Sequence, residues 1–326
     1  MGYFCSFAAQ DRYISAMHST FSRRGFLQRC ATTGLAISPV AAFAIDPFQR
    51  PGLPRLQLSL AAYSFREYFK DSDHEQKSNT DPAKRLDLFR FVDYCADQGC
   101  AGTELTCYYF PKETDEPFLL KLRRHCFLRG VDVSGGAVGN TFTHPPGEKR
   151  DEQMRYVKKW VDHYAVLGAP HIRVFAGNVP RGMAKEDATK LCIAALEECA
   201  DYAGKRGIFL GIENHGGIVA EPDDLLGIIR AVKSPWLAIN LDSGNFHTDD
   251  PYPDFERCAP YAVNVQMKAD IQRRGQKQEQ ADLPRLVKIL REAKYQGYVA
   301  LEYESEEDPW KAVPGLLKRM KDLFNA

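Results

Sequence analysis

From residue 56 onward the chain repeats one pattern eight times: a short apolar run, then a longer amphipathic one. The apolar runs cover 56–64, 101–106, 131–138, 171–176, 208–213, 236–242, 262–268 and 298–303. The amphipathic stretches between and after them cover 81–98, 116–129, 148–167, 185–205, 222–232, a short piece at 253–258, 283–294 and 309–324. Strands alternating with helices imply βαβ units and a parallel sheet. Eight units over about 270 residues close such a sheet into a (β/α)8 barrel, which commonly needs about 250 residues. The expected fold is therefore α/β: a single-domain TIM barrel over 50–326, preceded by a separate segment at 1–44. Gly99, Gly130, Gly168, Gly207 and Gly297 stand before strands, where a left-handed helix stop is expected.

The leading segment reads as an export signal. Ser22-Arg23-Arg24-Gly25-Phe26-Leu27-Gln28 resembles the twin-arginine motif, and 31–44 is mildly apolar. Ala42-Phe43-Ala44 is a cleavage site of the A-x-A kind. The apolar run contains Thr32, Thr33, Ser38 and Pro39 and is too short and polar to span a bilayer, so no stable membrane insertion is expected. A periplasmic or otherwise exported protein follows. Lys plus Arg and Asp plus Glu are both 43, so nothing suggests the basic face of a nucleic-acid binder. Of nine cysteines, Cys5 and Cys30 fall in the signal; the other seven lack metal-finger spacing and read as buried thiols. No Gly-x-Gly-x-x-Gly follows a strand, so no dinucleotide site is expected. The polar stretch 72–79 reads as a loop over the barrel mouth.

In such a barrel, chemistry collects where strands end. Strand five ends Glu213-Asn214-His215, strand six Asn240-Leu241-Asp242, strand seven Gln266-Met267-Lys268, and strand eight Glu302-Tyr303-Glu304. Side chains alternate across a strand, so Glu213 and His215 share a face, as do Gln266 and Lys268. Three carboxylates and an amide oxygen from four consecutive strands make an acidic pocket. A carboxylate in a barrel interior is costly unless something positive meets it, and a hard divalent ion is the simplest partner. Glu213, Asp242, Gln266 and Glu302 are the expected ligands. His215, His247, Glu104 and Arg173 are candidates for holding substrate, and Lys268 for polarising an oxyanion. His247 is also placed to orient Asp242. Tyr63, Phe65, Tyr108 and Tyr109 lie near early strand ends, where an aromatic wall for a sugar face and ordinary packing are both open.

At these residues the chain resembles the xylose isomerase-like barrels, the sugar phosphate isomerase/epimerase family. The resemblance covers about residues 56–326, the length such a barrel needs. It implies a single divalent metal held by Glu213 in Ile-Glu-Asn-His, Asp242 in Leu-Asp-Ser-Gly-Asn and Glu302 in Leu-Glu-Tyr-Glu. On strand seven the family pattern is His-x-Lys-Asp, whereas this chain has Gln266-Met267-Lys268. An amide oxygen suits Mn²⁺ or Mg²⁺ better than Zn²⁺. The resemblance implies a sugar or polyol substrate and proton abstraction next to a carbonyl through an enediolate, with Glu213 and Glu302 as the acid–base pair and Lys268 beside them. The product is an isomer or epimer. Departure of a β-substituent would make the same site a lyase or dehydratase, and the Gln in place of His also admits a sugar-binding barrel without catalysis. A homo-oligomer is compatible with the helix faces, though no apolar stripe marks one.

Overall fold

The computed structural model describes residues 46–70 and 81–326. The expected signal segment and the expected loop at 72–79 lie outside the described residues. Eight parallel strands close on themselves: β1 (Arg55–Ala61), β2 (Gly102–Thr106), β3 (Asp132–Ala137), β4 (His171–Val174), β5 (Phe209–Glu213), β6 (Leu237–Asp242), β7 (Ala262–Met267) and, after a small hairpin, β10 (Gln296–Leu301), which pairs with both β7 and β1. The hairpin is β8 (Asp270–Gln272) and β9 (Gln278–Gln280), antiparallel and outside the barrel sheet.

Helices join the strands: α1 (Leu88–Asp97), α2 (Glu116–Arg129), α3 (Glu148–Leu167), α4 (Lys185–Gly204), α5 (Pro222–Ala231), α6 (Pro251–Cys258), α7 (Leu283–Glu292) and α8 (Pro309–Asn325). Their starts follow from capping chemistry. Asp115 accepts the Phe118 N–H at 2.9 Å, satisfying a donor that has no partner within α2, and Pro117 in the first turn needs none. The chain then leaves α2 through Gly130 at φ +67°, a conformation that Cβ disfavours.

Three expectations shift. The helix expected from residue 81 begins at Leu88, because the Asp87 carboxylate accepts the Arg90 N–H and caps it there. Strand one stops at Ala61 and turns into a 3-10 segment, Ala62–Phe65. Gly297 lies within β10; the left-handed residue before that strand is Lys294, at φ +53°.

The core lies between the strands and the helix ring, and all seven cysteines among the described residues are free and buried in it. Phe65 and Tyr109 are also core residues: Tyr109 stacks on Phe69 at 4.2 Å, and Phe65 packs edge-on against Trp310 at 4.9 Å. Packing therefore accounts for these two members of the expected aromatic wall. Among the described residues no helix is long and apolar enough to cross a membrane.

Candidate active site

Inside the barrel the C-terminal half of the sheet is polar, and strand register sets its layout. Glu213 is level with Asn240, Asn240 with Asn264, Asp242 with Gln266, and Gln266 with Ala300, two residues before Glu302. The inward-facing positions of β5, β6, β7 and β10 therefore bring Glu213, Asp242, Gln266 and Glu302 to one end of the barrel. Each is at most 5% exposed.

Two cations meet these acids. Arg173, from β4, stands with Nε 2.8 Å from Glu213 Oε2. Its guanidinium lies 3.9 Å over the Phe175 ring and donates to the Val138 carbonyl at 2.9 Å. Tyr108 hydrogen-bonds to it as well. The other Glu213 oxygen takes His215 Nδ1 and Asn245 Nδ2, both at 2.8 Å. Burial acts to raise the Glu213 carboxyl, but Arg173, then His215, outweigh it and hold the group below its ordinary range. Lys268 serves the other side: Nζ is 2.6 Å from Glu302 Oε2, 3.3 Å from Asp242 Oδ2, and also bonded to Glu304. Burial opposes the Lys268 charge, yet Asp242, Glu302 and Glu304 keep its pKa well above the ordinary lysine value. Burial pushes the Asp242 and Glu302 carboxyls up, against the pull of Lys268.

Beneath these groups lies a ring of hydrogen bonds. Glu104, from β2, is fully buried and accepts Gln266 Nε2 on one oxygen and Asn264 Nδ2 on the other, both at 2.7 Å. Asn264 Nδ2 also donates to Asn240 Oδ1 at 2.8 Å, and Asn240 Nδ2 donates to Gln266 Oε1 at 2.6 Å. Gln266 Nε2 reaches Glu302 Oε1 at 3.3 Å. Burial, then the charge of Glu302, pushes the Glu104 carboxyl up to about 7.

The structure thus gathers Glu213, Asp242, Gln266, Glu302, Lys268, Arg173 and Glu104, and places His215 at the rim. Glu104 sits below the site with both oxygens engaged by amides, not at the mouth where a substrate-holding residue was expected. His247 is exposed and lines two clefts, of about 160 Å3 and 310 Å3, that open beside the site. The contacts that fix Asp242 come from elsewhere: Asn214 accepts its N–H at 2.8 Å and donates to its carbonyl at 2.9 Å, and the Gly244 N–H donates to Oδ1 at 2.8 Å. Sequence reasoning passed over Asn214, Asn240, Asn245, Asn264 and Phe175. The run of asparagines on the inward faces of β6 and β7 was the available signal, since buried amides need partners.

The donors suit a hard divalent cation. They are carboxylate oxygens, and Asp242 Oδ2 is buried with no hydrogen bond, only the ion pair to Lys268 at 3.3 Å. The carboxyl groups of Glu213, Asp242, Glu302 and Glu304, four in all, stand against the two cationic side chains of Arg173 and Lys268. As placed they are not a ligand cluster: among the described residues no three His, Cys, Asp or Glu side chains are so arranged. The reason is visible in the contacts, because Lys268 lies against Asp242 and Glu302, and the Gln266 oxygen is turned to Asn240.

A family model described as "Xylose isomerase-like TIM barrel" matches residues 92–320, most of the chain. The chain belongs to that family. Similarity extends to a Xenopus laevis protein named "Putative hydroxypyruvate isomerase", 26% identical over 206 residues that span 59% of this chain and 74% of that protein. Among solved structures, an L-ribulose 3-epimerase superposes with a TM-score of 0.66 at 15% identity, over 83% of this chain and 93% of that one. The IOLI protein with a binding zinc atom superposes at 0.65 and 16% identity, over 82% and 96%. At such identities the superpositions show a shared barrel.

Proposed function

We propose that this family member is a sugar isomerase or epimerase that moves a proton next to a carbonyl through an enediolate. The observation that carries the reading is the meeting of Glu213, Asp242 and Glu302 with Arg173 and Lys268 at the C-terminal ends of the barrel strands. The isomerase name of the Xenopus relative and the epimerase among the structural neighbours support it.

The residues divide the work by their surroundings. Glu213, kept ionised by Arg173 and His215, takes the proton from carbon. Glu302, whose carboxyl is raised by burial and bonded to Lys268, returns one. Pairs of acids pushed in opposite directions are the usual mark of such a division. The Lys268 ammonium stands where it can meet the oxyanion of the enediolate, and burial strengthens that attraction. His215, 57% exposed at the side chain beside Glu213, offers its second ring nitrogen to a substrate hydroxyl. Glu213, Asp242 and Glu302 would hold one divalent ion, Mn²⁺ or Mg²⁺ by their oxygen chemistry, which when bound supplies further positive charge for the oxyanion.

The test is incubation with a panel of ketoses and keto-glycosides in D2O with Mn²⁺, followed by NMR. Solvent deuterium next to a carbonyl is expected, and Glu213→Gln should lower its rate by at least about a hundredfold. Saturable sugar binding without exchange would overturn the reading in favour of a binding barrel. Net loss of water or of an aglycone would replace the isomerase by a lyase.

A further inference from the structure

With Glu104 ionised, the four-membered ring under the site has only one way to be wired. An ionised Glu104 has two acceptor oxygens and nothing to donate. Its neighbours must therefore turn nitrogen toward it: Asn264 by Nδ2 and Gln266 by Nε2. Asn264 Nδ2 also faces Asn240, so Asn240 presents Oδ1 to it and has Nδ2 left for Gln266. Gln266 then accepts with Oε1 from Asn240 and donates with Nε2 to Glu104 and Glu302. Turning any amide over would set oxygen against carboxylate or nitrogen against nitrogen. The wiring has a visible cost, since Asn264 Oδ1 is left buried with no partner. A flip that would give this oxygen a new neighbour would aim it at Glu104.

We propose that Glu104 is a positioning residue that fixes Gln266 as a hydrogen-bond donor to Glu302, so that Gln266 does not offer its oxygen to a cation in this site. The ring holds whatever the reaction is; only the statement about a cation rests on the function proposed above. The Gln266 amide steadies Glu302 from one side while Lys268 holds its other oxygen. The protein donors to a divalent ion are then the three carboxylates.

Exchanging the two groups tests the wiring. Glu104→Gln leaves one amide contact mismatched whichever way the new side chain turns. Gln266→Glu puts carboxylate against Glu104 and Glu302. Each alone should lower Tm at pH 8 by about 5 °C or more. In the double variant Glu104→Gln/Gln266→Glu the contacts among 104, 240, 264 and 266 close again, and only the contact to Glu302 stays mismatched. The carboxylate at 266 accepts from Asn240 and from the amide at 104, which in turn accepts from Asn264. Its loss of Tm should therefore be smaller than the sum of the two single losses, and its Tm should stand above that of Gln266→Glu. Additive losses, or a Glu104→Gln protein as stable as wild type, would overturn the proposal. A second readout concerns the site itself: calorimetric titration with Mn²⁺. Gln266→Leu should weaken Mn²⁺ binding by no more than about a hundredfold, the cost of losing a hydrogen-bond partner of a ligand, and by less than Asp242→Asn, which removes a ligand oxygen. A Gln266→Leu loss as large as that of Asp242→Asn would overturn the statement about the cation. A wild-type protein that binds no Mn²⁺ would overturn both that statement and the cation in the proposed function, and leave the ring to be judged by the exchange of groups.

Discussion

Arg173 and Glu213 form an ion pair at 2.8 Å with both side chains at most 5% exposed. At that depth the two charges depend on each other, because neither can recover the water it has lost. Arg173→Met leaves Glu213 with His215 and Asn245 alone and should destabilise the protein by about 3–5 kcal/mol. Adding Glu213→Gln removes the stranded charge and should return part of that loss. Urea unfolding of the two single variants and the double variant measures the coupling. Additive losses would show that the pair is not coupled.

Stability should depend on pH through His171, which begins β4 and is 1% exposed. Burial lowers its imidazole from 6.5 to about 4, against a smaller opposing pull from the Ser134 backbone. The sign follows from proton counting. Below 6.5 the unfolded chain takes up a proton that the folded protein refuses until about 4. His171 therefore contributes full stability above 6.5, loses it as pH falls through that window, and adds no further slope below it. The whole change is about 3 kcal/mol. Unfolding free energies across the window should fall less steeply for His171→Gln than for wild type. An unchanged slope would assign the pH dependence to other groups. The site is tight: a Cβ on Gly135 would come within 1.9 Å of the His171 ring, so the glycine makes room for it.

Lys268 is the cation that Asp242, Glu302 and Glu304 share. Lys268→Met strands these acids and should cost about 3–5 kcal/mol in the absence of added metal. Mn²⁺ should then raise the variant's Tm by more than it raises that of wild type, because the ion replaces the missing charge. Calorimetric scans with and without Mn²⁺ decide this. Equal shifts in the two proteins would mean that the ion and the ammonium do not serve the same carboxylates.

Much of the fold was legible because it follows from local rules. Glu116–Arg129 and Glu148–Leu167 have the bounds that periodicity predicts, as chain direction, capping and glycine stops are all written within a few residues. Local rules also explain the misses. The strands Asp270–Gln272 and Gln278–Gln280 are three residues each, and the second is Gln-Glu-Gln, with no apolar alternation to reveal a hairpin. The carboxylates of the candidate site were legible for a related reason: acids on the inward face of an apolar strand are anomalous, and three of the last four barrel strands carry or lead into one, with an amide in the fourth.

The sequence by itself determined that eight strand–helix units must close and that Glu213, Asp242, Gln266 and Glu302 would end four adjoining strands, because side-chain alternation and barrel closure are properties of the linear pattern. Only the tertiary structure decided what those groups face. Arg173 meets Glu213, Lys268 lies between Asp242 and Glu302, and Glu104, from the far side of the barrel, turns the Gln266 amide nitrogen toward the acids. Glu104 and Gln266 are 162 positions apart in the chain, and the partner of a buried polar group is set by which atoms share its space, which no local pattern encodes.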